Sequence, residues 1–245
     1  MTNSKSIDKS EVEKFSNMAD QWWDTKGKFA PLHKFNPVRI KYIKERCIEH
    51  FAKKDGEMPL KGLNILDIGC GGGLLSEPLC RLGASMTSID AGDKNIKIAA
   101  THAAQAGLKI NYMCTSAEAL ATQDKRYDVV LNMEVIEHVA DVTSFMKASC
   151  KLVKPGGMMI VATLNRTVKS YALAIIGAEY ILRWLPKGTH SWEKFLKPSE
   201  IEAYLSDGGL NLQKIQGVSY NPLSNDWSLS SDINVNYMLL AVKPA

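Results

Sequence analysis

Two groups of residues have types and spacings suited to chemistry. The first lies in the run Asn64-Ile65-Leu66-Asp67-Ile68-Gly69-Cys70-Gly71-Gly72-Gly73-Leu74, where a buried strand passes directly into a helix through glycines. Glycines at such a turn let a ligand approach the backbone where any side chain would collide. The next strand ends at Asp90, about 20 residues beyond the turn, where a carboxylate can accept hydrogen bonds from both ribose hydroxyls of a nucleoside. Both features suit an adenosine-type ligand. The second group is Glu134, Glu137 and His138, just beyond an expected strand and at the carboxyl edge where open α/β sheets place their ligands.

This second group supports three readings. If the segment turns helically, positions three and four apart share a face, so Glu134, Glu137 and His138 together could hold a divalent cation such as magnesium, manganese or zinc. Alternatively His138 or His190 acts directly as a general base, since an imidazole with an ordinary pKa of about 6.5 suits proton removal around neutrality. The third makes Glu137 and His138 a hydrogen-bonded loop brace.

Positioning these groups requires a sheet. Short apolar runs over Leu63 to Ile68, Ser85 to Ile89, Ile110 to Cys114, Tyr127 to Asn132 and Met158 to Thr163 alternate with helical patterns over Leu74 to Leu82, Lys94 to Ala106 and Val142 to Leu152. That alternation predicts a mostly parallel sheet covered by helices on both faces. A helix over Pro198 to Leu205 precedes two β-like segments, Leu210 to Val218 and Val235 to Val242, joined by a long polar loop and expected to pair as an antiparallel edge. Upstream, Glu11 to Trp23 and Pro37 to Lys53 show helical spacing on either side of the breaker-rich stretch Gly27 to Pro37. The expectation is one domain over 1–245, with a helical extension over 1–60 and an insertion over 164–197.

The chain of 245 residues is 45% hydrophobic and carries a formal charge of +4. The basic residues are dispersed, so no dense patch is offered to phosphates and nucleic acid is a poor partner. The five cysteines, Cys47, Cys70, Cys80, Cys114 and Cys150, form no C-x-x-C pair, which disfavours a cysteine zinc site and a disulfide framework and suits a reducing cytoplasm. Residues 1–14 lack the apolar stretch of a secretory signal. The centre of the insertion, Tyr171 to Leu185, is apolar with Lys169, Trp184 and Lys187 at its margins. It is shorter than the roughly 20 residues that span a bilayer, which suits a segment lying in a membrane interface, or a lid helix buried on the core.

The turn also decides between cofactor classes. A dinucleotide oxidoreductase would need glycine where this chain has Leu74. The pattern D-x-G-x-G-x-G resembles motif I of the class I methyltransferases, a Rossmann-like fold with a seven-stranded sheet. Further stretches resemble one branch, the ubiquinone-biosynthesis O-methyltransferases: Trp22-Trp23-Asp24, Asn36-Pro37-Val38-Arg39, Met133-Glu134-Val135-Ile136-Glu137-His138, Gly177-Ala178-Glu179-Tyr180 and Lys187-Gly188-Thr189-His190.

The resemblance implies S-adenosylmethionine as methyl donor, with Arg39, Gly69, Asp90 and Met133 as its contacts. Arg39 suits the methionine carboxylate, Asp90 the ribose, and the thioether of Met133 the adenine. It further implies methylation of phenolic oxygens on polyprenylated rings, 2-polyprenyl-6-hydroxyphenol and 3-demethylubiquinol. A metal on both oxygens of a catechol would lower the phenol pKa. The expected setting is cytoplasmic and peripheral on the inner membrane face, beside other quinone-biosynthesis enzymes. The competing expectation is a non-catalytic, cofactor-binding assembly subunit of such a complex.

Overall fold

A computed structural model describes residues 4–173 and 191–245. Its centre is one eight-stranded sheet in the order β3-β2-β1-β4-β5-β8-β6-β7. The strands are β1 (Asn64–Ile68), β2 (Ser85–Asp90), β3 (Asn111–Cys114), β4 (Tyr127–Met133), β5 (Val153–Leu164), β6 (Asn211–Asn221), β7 (Asp226–Ser230) and β8 (Asn236–Val242). Strands β1 to β5 pair in parallel, β8 runs antiparallel to both β5 and β6, and β7 runs antiparallel to β6.

The helices are α1 (Lys9–Met18), α2 (Ala30–His50), α3 (Ser76–Arg81), α4 (Asp93–Gln105), α5 (Ala117–Ala121), α6 (Val142–Lys151), α7 (Val168–Ser170) and α8 (Pro198–Asp207). Alternate residues of the central strands feed two separate cores, because side chains along a strand point to opposite faces. Leu66, Ile68, Val130, Met159 and Val161 meet Phe145 of α6 and Ile201 of α8. Ile65, Val129, Leu131, Met158 and Ile160 meet Tyr42 and Ile43 of α2 and Leu79 of α3. Near-continuous apolar runs such as Ile65 to Ile68 therefore follow from burial on both faces.

Two expectations are corrected. The sheet has eight strands: β7 lies within the loop expected to be polar and unpaired, because Asp226, Ser228 and Ser230 alternate with only two apolar residues, Trp227 and Leu229. Its pairing with β6 and the packing of Trp227 on Phe35 hold it. The two segments expected to pair as an antiparallel edge do so as β8 and β6, with β7 outermost. Helix α2 begins at Ala30 and runs through Pro37. Pro31 is tolerated in the first turn, where N–H groups have no intrahelical partner. An interior proline costs about 3 kcal/mol, offset here by burial of Phe35, Arg39, Tyr42, Ile43 and Cys47 along the helix.

The N-terminal extension is anchored where the site forms. Asp8 caps α1, its carboxylate accepting from the backbone N–H groups of Ser10 and Glu11. After a 3-10 turn over Ala19–Gln21, the residues Met18, Ala19, Trp22 and Phe29 bury themselves with Leu74, which follows the glycine turn. Each buried Met, Leu or Phe contributes about 1.5–3 kcal/mol. The expected apolar segment over 171–185 lies outside the described residues except for residues 171–173, and His190 lies outside them as well. Among the described residues no helix is long and apolar enough to cross a membrane.

Candidate active site

The glycine turn has the geometry that its composition implied. Gly69 follows β1 with φ +72°, and a Cβ placed on it would fall 2.4 Å from a methyl carbon of Val135. Gly71 has φ +52°, and a Cβ there would meet the Trp22 ring, also at 2.4 Å. Left-handed backbone and absent space together exclude side chains at both positions. Beneath the turn, buried Asp67 accepts a hydrogen bond from Ser76 Oγ at 2.6 Å, and burial pushes its carboxyl up to about 7.

Asp90 ends β2 beside this turn. Its Oδ2 accepts from the Gly71 N–H at 3.0 Å, and its Oδ1 accepts from the Gly92 N–H at 2.7 Å and from Asn95 Nδ2 at 3.1 Å. Burial raises its pKa, and these three donors oppose that shift. Met133, at the end of β4, is 8% exposed and lines the same cavity as Asp90 and the turn.

Arg39 is buried and reaches the cavity from α2. Its guanidinium lies 3.8 Å from the centroid of the Phe35 ring, and Nη2 is 2.9 Å from Glu134 Oε1. Its Nε is buried with no hydrogen-bond partner. Desolvation lowers the Arg39 pKa, and the acidic neighbours Glu134, Glu137 and Asp67 counter it.

The acidic-histidine segment departs from the helical face expected of it. Glu134 has φ +59°, an uncommon left-handed conformation for a residue other than glycine. A short 3-10 turn, Ile136–His138, follows it. The side chains consequently take three different partners: Glu134 pairs with Arg39, Glu137 Oε2 accepts from Thr163 Oγ1 at 2.8 Å, and His138 Nδ1 bonds Glu11 Oε2 at 3.0 Å. Burial first, then the charge of Glu134, holds the Glu137 carboxyl well above the usual carboxylate range.

Among the described residues no group of three or more His, Cys, Asp or Glu side chains is placed to hold a metal ion. Glu134, Glu137 and His138, the residues expected to share one cation, take separate partners in this structure. The backbone reversal at Glu134 sends that carboxylate to Arg39, while Glu11 takes the imidazole.

What the structure does bring together is a single cavity of about 670 Å3. Arg39, Gly69, Asp90, Met133, Glu134 and His138 all line it. Its other walls are largely apolar and include Phe15, Leu32, Phe35, Val139 and Trp227. Phe15 also meets the His138 ring edge-on, with centroids 5.1 Å apart.

Glu11 completes the site from the N-terminal helix. It lies 127 residues from His138 in sequence, and a glutamate on a polar helix gives no sign of its partner. The bond to His138 is the main reason that its pKa falls below the usual value.

The fit to an S-adenosyl ligand rests on this geometry: a turn that a Cβ would fill, a carboxylate at the end of the second strand, and a buried guanidinium with an unpartnered N–H. Comparisons with known proteins agree. The methyltransferase-domain family matches residues 66–161. The solved structure of magnesium protoporphyrin IX methyltransferase from Synechocystis with bound SAH superposes with a TM-score of 0.67 at 20% identity, covering 96% of this chain and 100% of that one. It shares the fold.

Two curated relatives are much nearer in sequence. The ubiquinone biosynthesis O-methyltransferase of Brucella anthropi is 58% identical over 240 residues, covering 98% of this chain and 97% of its own length. That of Parvibaculum lavamentivorans is 57% identical over 237 residues, covering 96% and 94%. At this identity over nearly its whole length, the chain belongs to the ubiquinone biosynthesis O-methyltransferase family.

Proposed function

We propose that this chain transfers a methyl group from S-adenosylmethionine to a phenolic oxygen of a polyprenylated ring in ubiquinone synthesis, on 2-polyprenyl-6-hydroxyphenol and 3-demethylubiquinol. The observation that carries this reading is the single cavity lined by the glycine turn and Asp90, by His138, and by largely apolar walls. Donor and acceptor can meet there. The donor supplies an already activated sulfonium methyl. The protein's task is then alignment of the two reactants and removal of the phenol proton.

In this reading Asp90 receives the ribose, Met133 packs against adenine, and Arg39 meets the methionine carboxylate through its unpartnered Nε–H. Glu134, Glu137 and His138 are engaged by Arg39, Thr163 and Glu11, and in this reading proton removal is the work of a side chain. His138 takes the proton at Nε2, since Nδ1 is held by Glu11. Glu11 fixes the ring and stabilises the imidazolium that forms. His190, outside the described residues, is the second candidate base.

Methyl incorporation from labelled S-adenosylmethionine into a short-chain catechol analogue tests the function. Turnover supports it; cofactor binding without turnover would instead establish the non-catalytic assembly subunit. Arg39→Ala is expected to weaken S-adenosylmethionine binding by roughly 10- to 100-fold by calorimetry, the range of a lost charge-assisted hydrogen bond. An unchanged Kd would remove Arg39 from the cofactor site.

The same reading places the chain at a membrane surface where a polyprenyl substrate dissolves, near other quinone-biosynthesis enzymes. Val168, Tyr171 and Leu173 support it: they are exposed at the start of the segment over 171–185, and Leu173 also lines the cavity. Exposed apolar side chains close together in sequence suit such a surface. Leu173→Glu should reduce co-sedimentation with anionic liposomes, and equal partitioning of variant and parent would count against membrane contact.

A further inference from the structure

We propose that Trp22 and Asn95 are positioning residues for the cofactor, forming a buried relay that presets the Asp90 carboxylate. The proposal rests on the reading of Asp90 as the ribose acceptor. The indole N–H of Trp22 donates to Asn95 Oδ1 at 3.0 Å. That bond fixes which end of the amide faces which way, so Asn95 Nδ2 donates to Asp90 Oδ1 at 3.1 Å. Asn95 is 2% exposed and Trp22 is 7% exposed, so solvent does not substitute for either bond.

Trp22 itself is immobilised on several sides. Its ring stacks on Phe29 with centroids 3.7 Å apart and planes 7° apart, its carbonyl bonds His33 Nε2 at 2.9 Å, and it fills the space that a Cβ on Gly71 or Gly72 of the cofactor turn would need. The neighbouring Trp23 braces the same turn differently, donating from Nε1 to the Gly72 carbonyl at 3.0 Å while stacking on His102 at 3.5 Å. The N-terminal segment thus forms the outer wall of the turn. Packing alone would explain a wall, but it would not require a buried indole N–H ending, through an amide, on the acidic residue of the site.

The relay matters because Asp90 has little freedom left. A carboxylate offers about four acceptor positions, and Gly71, Gly92 and Asn95 occupy three of them. The remaining capacity points in one direction, and the side-chain donor among the three is Asn95. If Asn95 loses its orientation, Oδ1 keeps only the Gly92 N–H, and the direction in which the carboxylate meets the ribose is less tightly set. This assigns the Trp22-Trp23 pair of the N-terminal segment two distinct tasks, the relay to Trp22 and the brace to Trp23.

A double-mutant cycle tests the relay. Trp22→Phe removes the N–H while keeping an aromatic ring, and Asn95→Ala removes the amide. Each is expected to raise the Kd for S-adenosylhomocysteine and the KM for S-adenosylmethionine by about 3- to 10-fold, the range of one hydrogen bond, with the effect falling on KM and not on kcat. The double variant should be no weaker than Asn95→Ala alone, because both changes cut one chain. Trp23→Phe serves as the control for loosening the segment, and its effect should multiply with that of Asn95→Ala.

Multiplying effects of Trp22→Phe and Asn95→Ala, or a fall in melting temperature with unchanged cofactor affinity, would overturn the relay and leave Trp22 a packing residue. Failure of the parent protein to bind S-adenosylhomocysteine would instead sink the cofactor reading itself, so the two failures are distinct.

Discussion

Gly69→Ala is expected to reduce kcat/KM by more than about 100-fold, with loss of measurable S-adenosylhomocysteine binding in calorimetry at concentrations that saturate the parent. Two costs combine. A non-glycine residue held in a left-handed conformation costs about 1–3 kcal/mol, and the backbone here has φ +72°. The added methyl would also lie 2.4 Å from Val135 Cγ2 and 2.9 Å from Cγ1. Overpacking of this kind typically costs about 1–3 kcal/mol more. Val135 is β-branched and stiff, so the backbone around it would have to move. That backbone joins Glu134 to the turn bearing His138, and a change on the cofactor side is thereby transmitted to the acceptor side.

This coupling supplies its own control. Gly69→Ala combined with Val135→Ala vacates the methyl positions and should recover part of the affinity, while the dihedral cost remains. Equal defects in the single and double variants would show that the clash with Val135 is immaterial and that backbone conformation alone requires glycine.

The parts of this site that could be read in sequence are those built from neighbours along the chain. Gly69, Gly71 and Asp90 sit on two consecutive strand ends, so the alternation of apolar runs and helices was enough to bring them together. The two-core sheet was legible for the same reason, since Ile65, Leu66 and Ile68 and the run Val129 to Leu131 supply apolar side chains to both faces. Long-range partners were not. Trp22 and Asn95 are 73 positions apart, and Glu11 and His138 are 127 apart. Nothing in either local sequence announces the other.

Local misreadings also had physical causes. The Glu134 segment was read with helical periodicity, but one left-handed residue resets which side chains share a face. Strand β7 was hidden because an edge strand needs few apolar residues when a single tryptophan packs inward. Pro31 and Pro37 read as breakers, although one sits in the first turn of α2 and the other is held in the helix by buried neighbours. For β7 and Pro37, tertiary packing outweighed local propensity, which for an interior proline is about 3 kcal/mol.

His138→Ala should lower kcat by about 10²- to 10⁴-fold, the usual contribution of a positioned general base, while the Kd for S-adenosylhomocysteine stays within about twofold. The separation of the two effects follows from the geometry. Asp90, Arg39 and the glycine turn do not bond the imidazole, whose Nδ1 is bound to Glu11 on the N-terminal helix. Glu11→Gln should therefore reproduce a smaller part of the same kcat loss, because the ring keeps a hydrogen-bonding neighbour but loses the charge that stabilises imidazolium. Glu11→Ala should be worse than Glu11→Gln and should leave cofactor affinity unaltered. A merely structural tie would lower stability in both variants without ordering their turnover. Retained activity in His138→Ala would transfer the base role to His190 or to solvent; His190→Ala, measured in parallel, separates these, since only the first predicts that its loss becomes severe.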